Sequence, residues 1–232
     1  MLRAASTWGS LLAGLTGVLC CACTSVPYDG GLGGGGASPA TTTTTTSTAG
    51  GGNVNVDEVA VMTWNLESFP LYPDTPERVR AVIDSLSPDV IAVQEIGDEA
   101  SFHGLVSSLD GYAGLLADDA ENFIRVGLIY RTGRVSVGEV TTLFQGDWYP
   151  FPRPVLSAEL QIDGFDFVAL VVHLKAYGDE ESVDRRRVAI ERLDEHLRAA
   201  MDGASEQDFV VPGDFTDEPT DTPTTNVFGP LQ

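Results

Sequence analysis

The sequence predicts an α+β sandwich over residues 57–232, and three observations carry that expectation. Four short apolar runs, at 59–65, 90–95, 168–173 and 209–214, each end on a polar residue. Between them the apolar spacing changes from the two-residue period of strands to the longer period of helices. Four further strand-like stretches lie around 112–116, 124–130, 134–143 and 155–162. Mixed strands with covering helices point to packed layers around one core.

Each element follows from local residues. Val59-Ala60-Val61-Met62-Thr63-Trp64-Asn65 reads as a strand buried on both faces, as short β-branched runs do. Pro76 opens a helical pattern through Val79, Val82, Ile83 and Leu86, and Pro88 stops it. Val90 to Glu95 is the next buried strand. A short helix follows, with Phe102, Leu105, Val106 and Leu109 on one side. Asp163-Gly164 is a turn that leads into the strand Val168 to His173. The segment 182–201 is the clearest helix, striped by Val183, Ile190, Leu193, Leu197 and Met201. Glu181/Arg185 and Asp194/Arg198 are spaced as i,i+4 pairs, and Arg185 to Arg187 read as a solvated face. The strand Phe209 to Asp214 comes last, followed by a Pro/Thr-rich tail.

The N-terminus reads as processing and tether. Met1-Leu2-Arg3 is a short positive start, and Leu11 to Cys20 is apolar but too short to span a membrane comfortably. This looks like a bacterial lipoprotein leader over residues 1–22, with lipid on Cys23. Cys20 or Cys21 is the alternative acceptor, and an ordinary secretory signal is the competing reading. Thr24 beside the cysteine favours the outer membrane as destination. Residues 23–56, with the Thr41 to Thr46 run and glycine clusters, form a flexible spacer. No cysteine follows Cys23, which excludes a disulfide, a zinc-thiolate site or a thiol nucleophile in the folded part.

Charge narrows the partners. With 34 Asp plus Glu against 13 Lys plus Arg, the net charge is -21. Such a surface repels polyanions at long range, so loose, charge-driven nucleic-acid binding is disfavoured. A phosphate ester held locally by a cation and a few arginines remains compatible with it.

If the four apolar runs lie side by side, Asn65, Glu95, His173 and Asp214 gather at one rim. Two carboxylates, an amide and an imidazole suit a divalent cation acting on a phosphate ester. Taken singly, each residue also fits an ordinary strand end or turn. In combination the order is distinctive: Thr63-Trp64-Asn65-Leu66-Glu67, Val93-Gln94-Glu95-Ile96, Val172-His173-Leu174-Lys175 and Gly213-Asp214-Phe215-Thr216-Asp217. In these motifs, spread over about residues 58–219, the chain resembles the endonuclease/exonuclease/phosphatase superfamily.

The resemblance implies a four-layer sandwich of two mixed sheets flanked by helices, and a monomeric Mg2+-dependent phosphoesterase, with Mn2+ as the alternative ion. Its substrate would be a nucleic acid, a phospholipid head group or a small ester. Glu95 would be the main metal ligand, and Asp214 would share the metal and orient or deprotonate water. Asn65 would hold Asp214 or the phosphate, and His173 would donate to a non-bridging oxygen. Thr216 stands where the family usually has Asn. Arg153 matches a position that can approach phosphate, although flanking prolines alone could set it there. Lys175, the only lysine, lies two residues past His173 and would share its face in an extended run. Tyr130 reads as core, and His103 and His196 as surface. The family's closing Asp and His have no counterpart, because no histidine follows His196. The expectation is therefore an incomplete copy lacking the last strand or strands, with an unpaired edge and a partly exposed core. A non-catalytic surface lipoprotein using the same fold for binding is the alternative.

Overall fold

A computed structural model describes residues 2–4, 17–19, 59–118, 124–203, 208–222 and 225–231. The proposed lipidation residue Cys23, the spacer and most of the leader lie outside the described residues. Two three-residue N-terminal strands, β1 (Leu2–Ala4) and β2 (Gly17–Leu19), add in parallel to β3 (Val59–Phe69) and β10 (Phe209–Val211).

Six of the seven residues of β4 (Val90–Ile96) are buried, as expected of a strand that is apolar on both faces. It pairs in parallel with β3 and antiparallel with β6 (Arg125–Arg131), which carries β5 (Tyr112–Leu116) on its other side. In the second sheet, β9 (Phe165–His173) lies between β8 (Val155–Ile162), antiparallel, and β10, parallel. β7 (Val135–Leu143) closes the far side against β8, and the two-residue β11 (Gly213–Asp214) extends the parallel pairing along β9. Both sheets are mixed.

Three apolar interfaces stack four layers. Val90, Ala92 and Leu128 of the first sheet meet Leu156, Ala169 and Val171 of the second. On the outer face of the first sheet, α1 (Thr75–Leu86) and α2 (Glu99–Ser108) lay Ile83, Phe102 and Leu105 over Ile91, Val93 and Ile129. On the outer face of the second, α3 (Glu180–Gly203) lays Ala189, Ile190 and Leu193 over Leu170, Val172 and Val211. The helix ends follow local chemistry. Pro76 occupies the first turn of α1, and Ser87, left-handed at φ 49, ends it before Pro88. Asp98 caps α2 by accepting from the Ser101 amide at 2.6 Å. Among the described residues no helix is long and apolar enough to cross a membrane.

Two expectations change. β3 is not buried on both faces: Met62 and Trp64, on the side of the helical layer, are half-buried, because that layer covers the face only in part. The core was expected to be partly exposed, and the Pro/Thr-rich tail covers part of it. Phe215, Val227 and Phe228 are buried in the α3 layer, and Gly229–Leu231 forms a 3-10 turn. Arg198 donates to the Pro230 carbonyl at 3.3 Å, which fastens the turn to α3. Three apolar side chains outweigh a polar composition when they reach an open core face. Phe228→Ala should cost about 3–5 kcal/mol in urea unfolding. A loss below roughly 1 kcal/mol, within the range of surface substitutions, would show that the tail is not part of the core.

Candidate active site

Parallel pairing carries the polar strand ends to one rim. Asn65 is in register with Gln94 across β3 and β4, and Asp214 with His173 across β11 and β9. The sandwich then brings the two rims together. Asn65 Nδ2 donates to Glu95 Oε1 at 3.0 Å and to Asp214 Oδ2 at 2.9 Å. One amide therefore spans two carboxylates carried by different sheets. Its oxygen accepts from the Glu67 amide at 2.9 Å, which fixes the side-chain orientation by hydrogen bonding.

Further donors aim each carboxylate. The Ser68 amide donates to Glu95 Oε2 at 2.9 Å. The Thr216 amide and hydroxyl donate to Asp214 Oδ1 at 2.9 and 3.1 Å. The Thr216 hydroxyl thus serves as an internal brace for Asp214. Gly213 is required by space: a Cβ there would lie 2.2 Å from the Val172 carbonyl oxygen. Glu67, Ser68, Glu95, Tyr177 and Thr216 all hold positive φ, between 51° and 81°, in the segments that build this rim. Non-glycine residues stay there only where surrounding contacts hold them.

His173 is 2 % exposed, with Nε2 at 3.8 Å from Glu95 Oε1 and 3.9 Å from Asp214 Oδ2. Burial, reinforced by the nearby Arg153 charge, lowers its pKa to about 4 against the opposing pull of Asp214 and Glu95. The imidazole is therefore neutral at pH 7. Nδ1 is buried without a hydrogen-bond partner among the described residues. A buried orphan acceptor costs less than an orphan donor, so the proton belongs on Nε2, facing the carboxylates.

Arg153 lies within the field of Glu95 and Asp214, and its half-buried guanidinium reaches the Leu174 carbonyl at 3.5 Å. Desolvation lowers its pKa from an ordinary value high enough that it stays charged. The site thus pairs two carboxylates with one nearby guanidinium.

Asn65, Glu95, His173, Asp214 and Thr216 come together as the strand ends suggest, with Arg153 alongside. Lys175 is placed differently from the expectation. β9 ends at His173, so strand alternation does not carry Lys175 to the imidazole's face, and its Nζ lies 4.5 Å over the Tyr177 ring. Tyr130 packs against the core between the sheets, as expected. His103 pairs with Glu99 at the surface, whereas His196 is half-buried with its edge against Phe144.

Sequence reasoning missed Arg185 and Arg186, which are buried rather than solvated. Arg185 donates to the Tyr149 and Trp148 carbonyls at 2.6 and 2.8 Å, bracing the segment that leads to Arg153. Arg186 pairs with Asp217 at 2.9 Å. Helical periodicity assigns arginines to solvent by default and carries no information about carbonyls arriving from distant loops.

Residues 62–225 match the model of the endonuclease/exonuclease/phosphatase family, and the chain belongs to that family. None of the curated proteins compared matches it. The fold is similar to an endonuclease/exonuclease/phosphatase family protein from Bacteroides thetaiotaomicron, at TM-score 0.59 and 15% identity over 75% of this chain and 67% of that one. It is also similar to the human nocturnin catalytic domain with bound sulfate, at TM-score 0.55 and 21% identity over 73% and 67%. Sphingomyelinase C from Streptomyces griseocarneus matches at TM-score 0.56 and 17% identity over 74% and 68%. The chain spans about two thirds of the length of each of these structures, and 48% of TDP2 from C. elegans.

The depressed pKa of His173 has a measurable consequence. Between pH 6.5 and 4 the unfolded chain binds a proton on this residue that the folded protein excludes. Native stability therefore falls as pH drops through that window, by on the order of 3 kcal/mol when integrated. His173→Asn removes this component, so urea unfolding should show a shallower loss of stability from pH 7 to 4 in the variant. Parallel pH profiles for the two proteins would contradict a buried neutral imidazole.

Proposed function

We propose that this protein hydrolyses phosphate esters with a divalent cation, Mg2+ or Mn2+, held at Glu95 and Asp214. The observation that carries this reading is the Asn65 amide donating to both carboxylates beside a neutral, buried imidazole.

The donor set suits such an ion. Both carboxylates present the hard oxygens that such a cation prefers. Mg2+ is commonly bound through one or two carboxylates and keeps several waters. When bound, the cation would polarise a phosphoryl oxygen and offset charge on the leaving oxygen.

The chain's own groups supply alignment and charge. Asp214, fixed on one oxygen by Thr216 and on the other by Asn65, orients the attacking water and accepts its proton. His173 donates from Nε2 to a non-bridging oxygen, and being neutral it adds no charge that the carboxylates would capture. Arg153 brings a guanidinium to the phosphate, and its flat fork suits paired oxygens. Alignment and charge stabilisation of this kind provide most of the rate in phosphoryl transfer. The net charge of -21 favours a small diester or a phospholipid head group over a polynucleotide.

A screen of activated phosphodiesters with Mg2+ tests this reading. Turnover should vanish with chelator and fall by at least about 100-fold in Glu95→Gln and in Asp214→Asn, the range seen on removing one preorganised electrostatic group. Undiminished turnover in either variant would overturn the assignment.

A further inference from the structure

We propose that Arg186 is a positioning residue, whose side chain ties the segment following His173 to the segment following Asp214. The residue is 3 % exposed, in the second turn of α3. Nη1 donates to the Lys175 and Tyr177 carbonyls at 2.8 and 2.7 Å, just past the end of β9. Nε donates to Asp217 Oδ2 at 2.9 Å, three residues past Asp214. One rigid plane therefore fixes two loops that enter the rim from neighbouring strands.

The geometry asks for this particular group. Three acceptors from two segments converge on adjacent nitrogens of one planar fork, and a lysine ammonium lacks that fixed spread. Each clamped segment contains a residue at positive φ, Tyr177 at 81° and Thr216 at 53°. Tyr177 is held directly through its carbonyl. Thr216, which braces Asp214, precedes Asp217 by one residue. Asp217 also accepts from the Glu218 amide at 3.1 Å, so the carboxylate is anchored in its own loop.

The inference rests on the phosphoesterase reading for its kinetic consequence, whereas its geometric consequence is independent of any activity. The full chain is compared with Arg186→Lys and with the double variant Arg186→Met/Asp217→Leu, which removes both buried charges together and avoids stranding one of them. NMR resonances of the His173 imidazole and the Asn65 side-chain amide are recorded for each, and kinetics are measured on the diester found in the substrate screen.

Both variants should shift these two signals while signals from β4 and β8 stay in place. The kcat should fall about 10-fold or more with KM within about 2-fold, the scale of losing an outer group that orients ligands. Shifted signals in a protein whose wild-type form turns over no ester would sustain the clamp and sink the phosphoesterase reading. Unmoved His173 and Asn65 signals in the folded double variant would overturn the clamp, whatever the kinetics.

Discussion

Two like charges are held together here by one neutral amide, and the rest of the rim is built around that contact. Bringing two carboxylates within a few ångströms costs on the order of 3–4 kcal/mol at an effective dielectric of about 20. A hydrogen bond to a charged group returns about 1.5–3 kcal/mol. The two bonds from Asn65 therefore come close to offsetting the repulsion, with the Arg153 charge and the donors from Ser68 and Thr216 adding to it. The amide is well suited because it carries two donors and no charge. An aspartate in its place would add a third negative group, and a leucine would remove the donor that Glu95 Oε1 and Asp214 Oδ2 share.

The contact also joins the two halves of the fold. Asn65 stands at the last regular pair between the parallel strands β3 and β4, beside Glu95 near the end of β4, while His173 and Asp214 end neighbouring parallel strands of the other sheet. Strand register sets each pair, but only the packing of the sheets sets one pair against the other. The apolar layer of Val90, Ala92, Leu156 and Val171 therefore positions the chemistry as well as stabilising the molecule. On the outer side α3 contributes in the same way. Arg185 and Arg186 turn its first two turns into an anchor for the loops that enter the site.

Much of this was legible in the chain because strand ends leave a plain trace. A β-branched run that stops on Asn, Glu, His or Asp marks both the strand and the edge where its last side chain emerges. The first helix was equally readable, since Pro76 and Pro88 act through local sterics. What stayed hidden depends on groups arriving from elsewhere. Arg186 looks like any helical arginine until the carbonyls of Lys175 and Tyr177 are placed beside it. Phe228 is lost in a polar tail until an open face of the core receives it. The face that Lys175 occupies is not readable from alternation, because β9 stops at His173.

The most direct test of the account is a crystal of the full chain soaked in Mn2+, with anomalous scattering used to locate the ion. The account predicts a single strong peak contacting both Glu95 and Asp214, beside Asn65 and on the side faced by His173 Nε2. A peak elsewhere with none at this pair, or Glu95 and Asp214 turned away from one another, would contradict it.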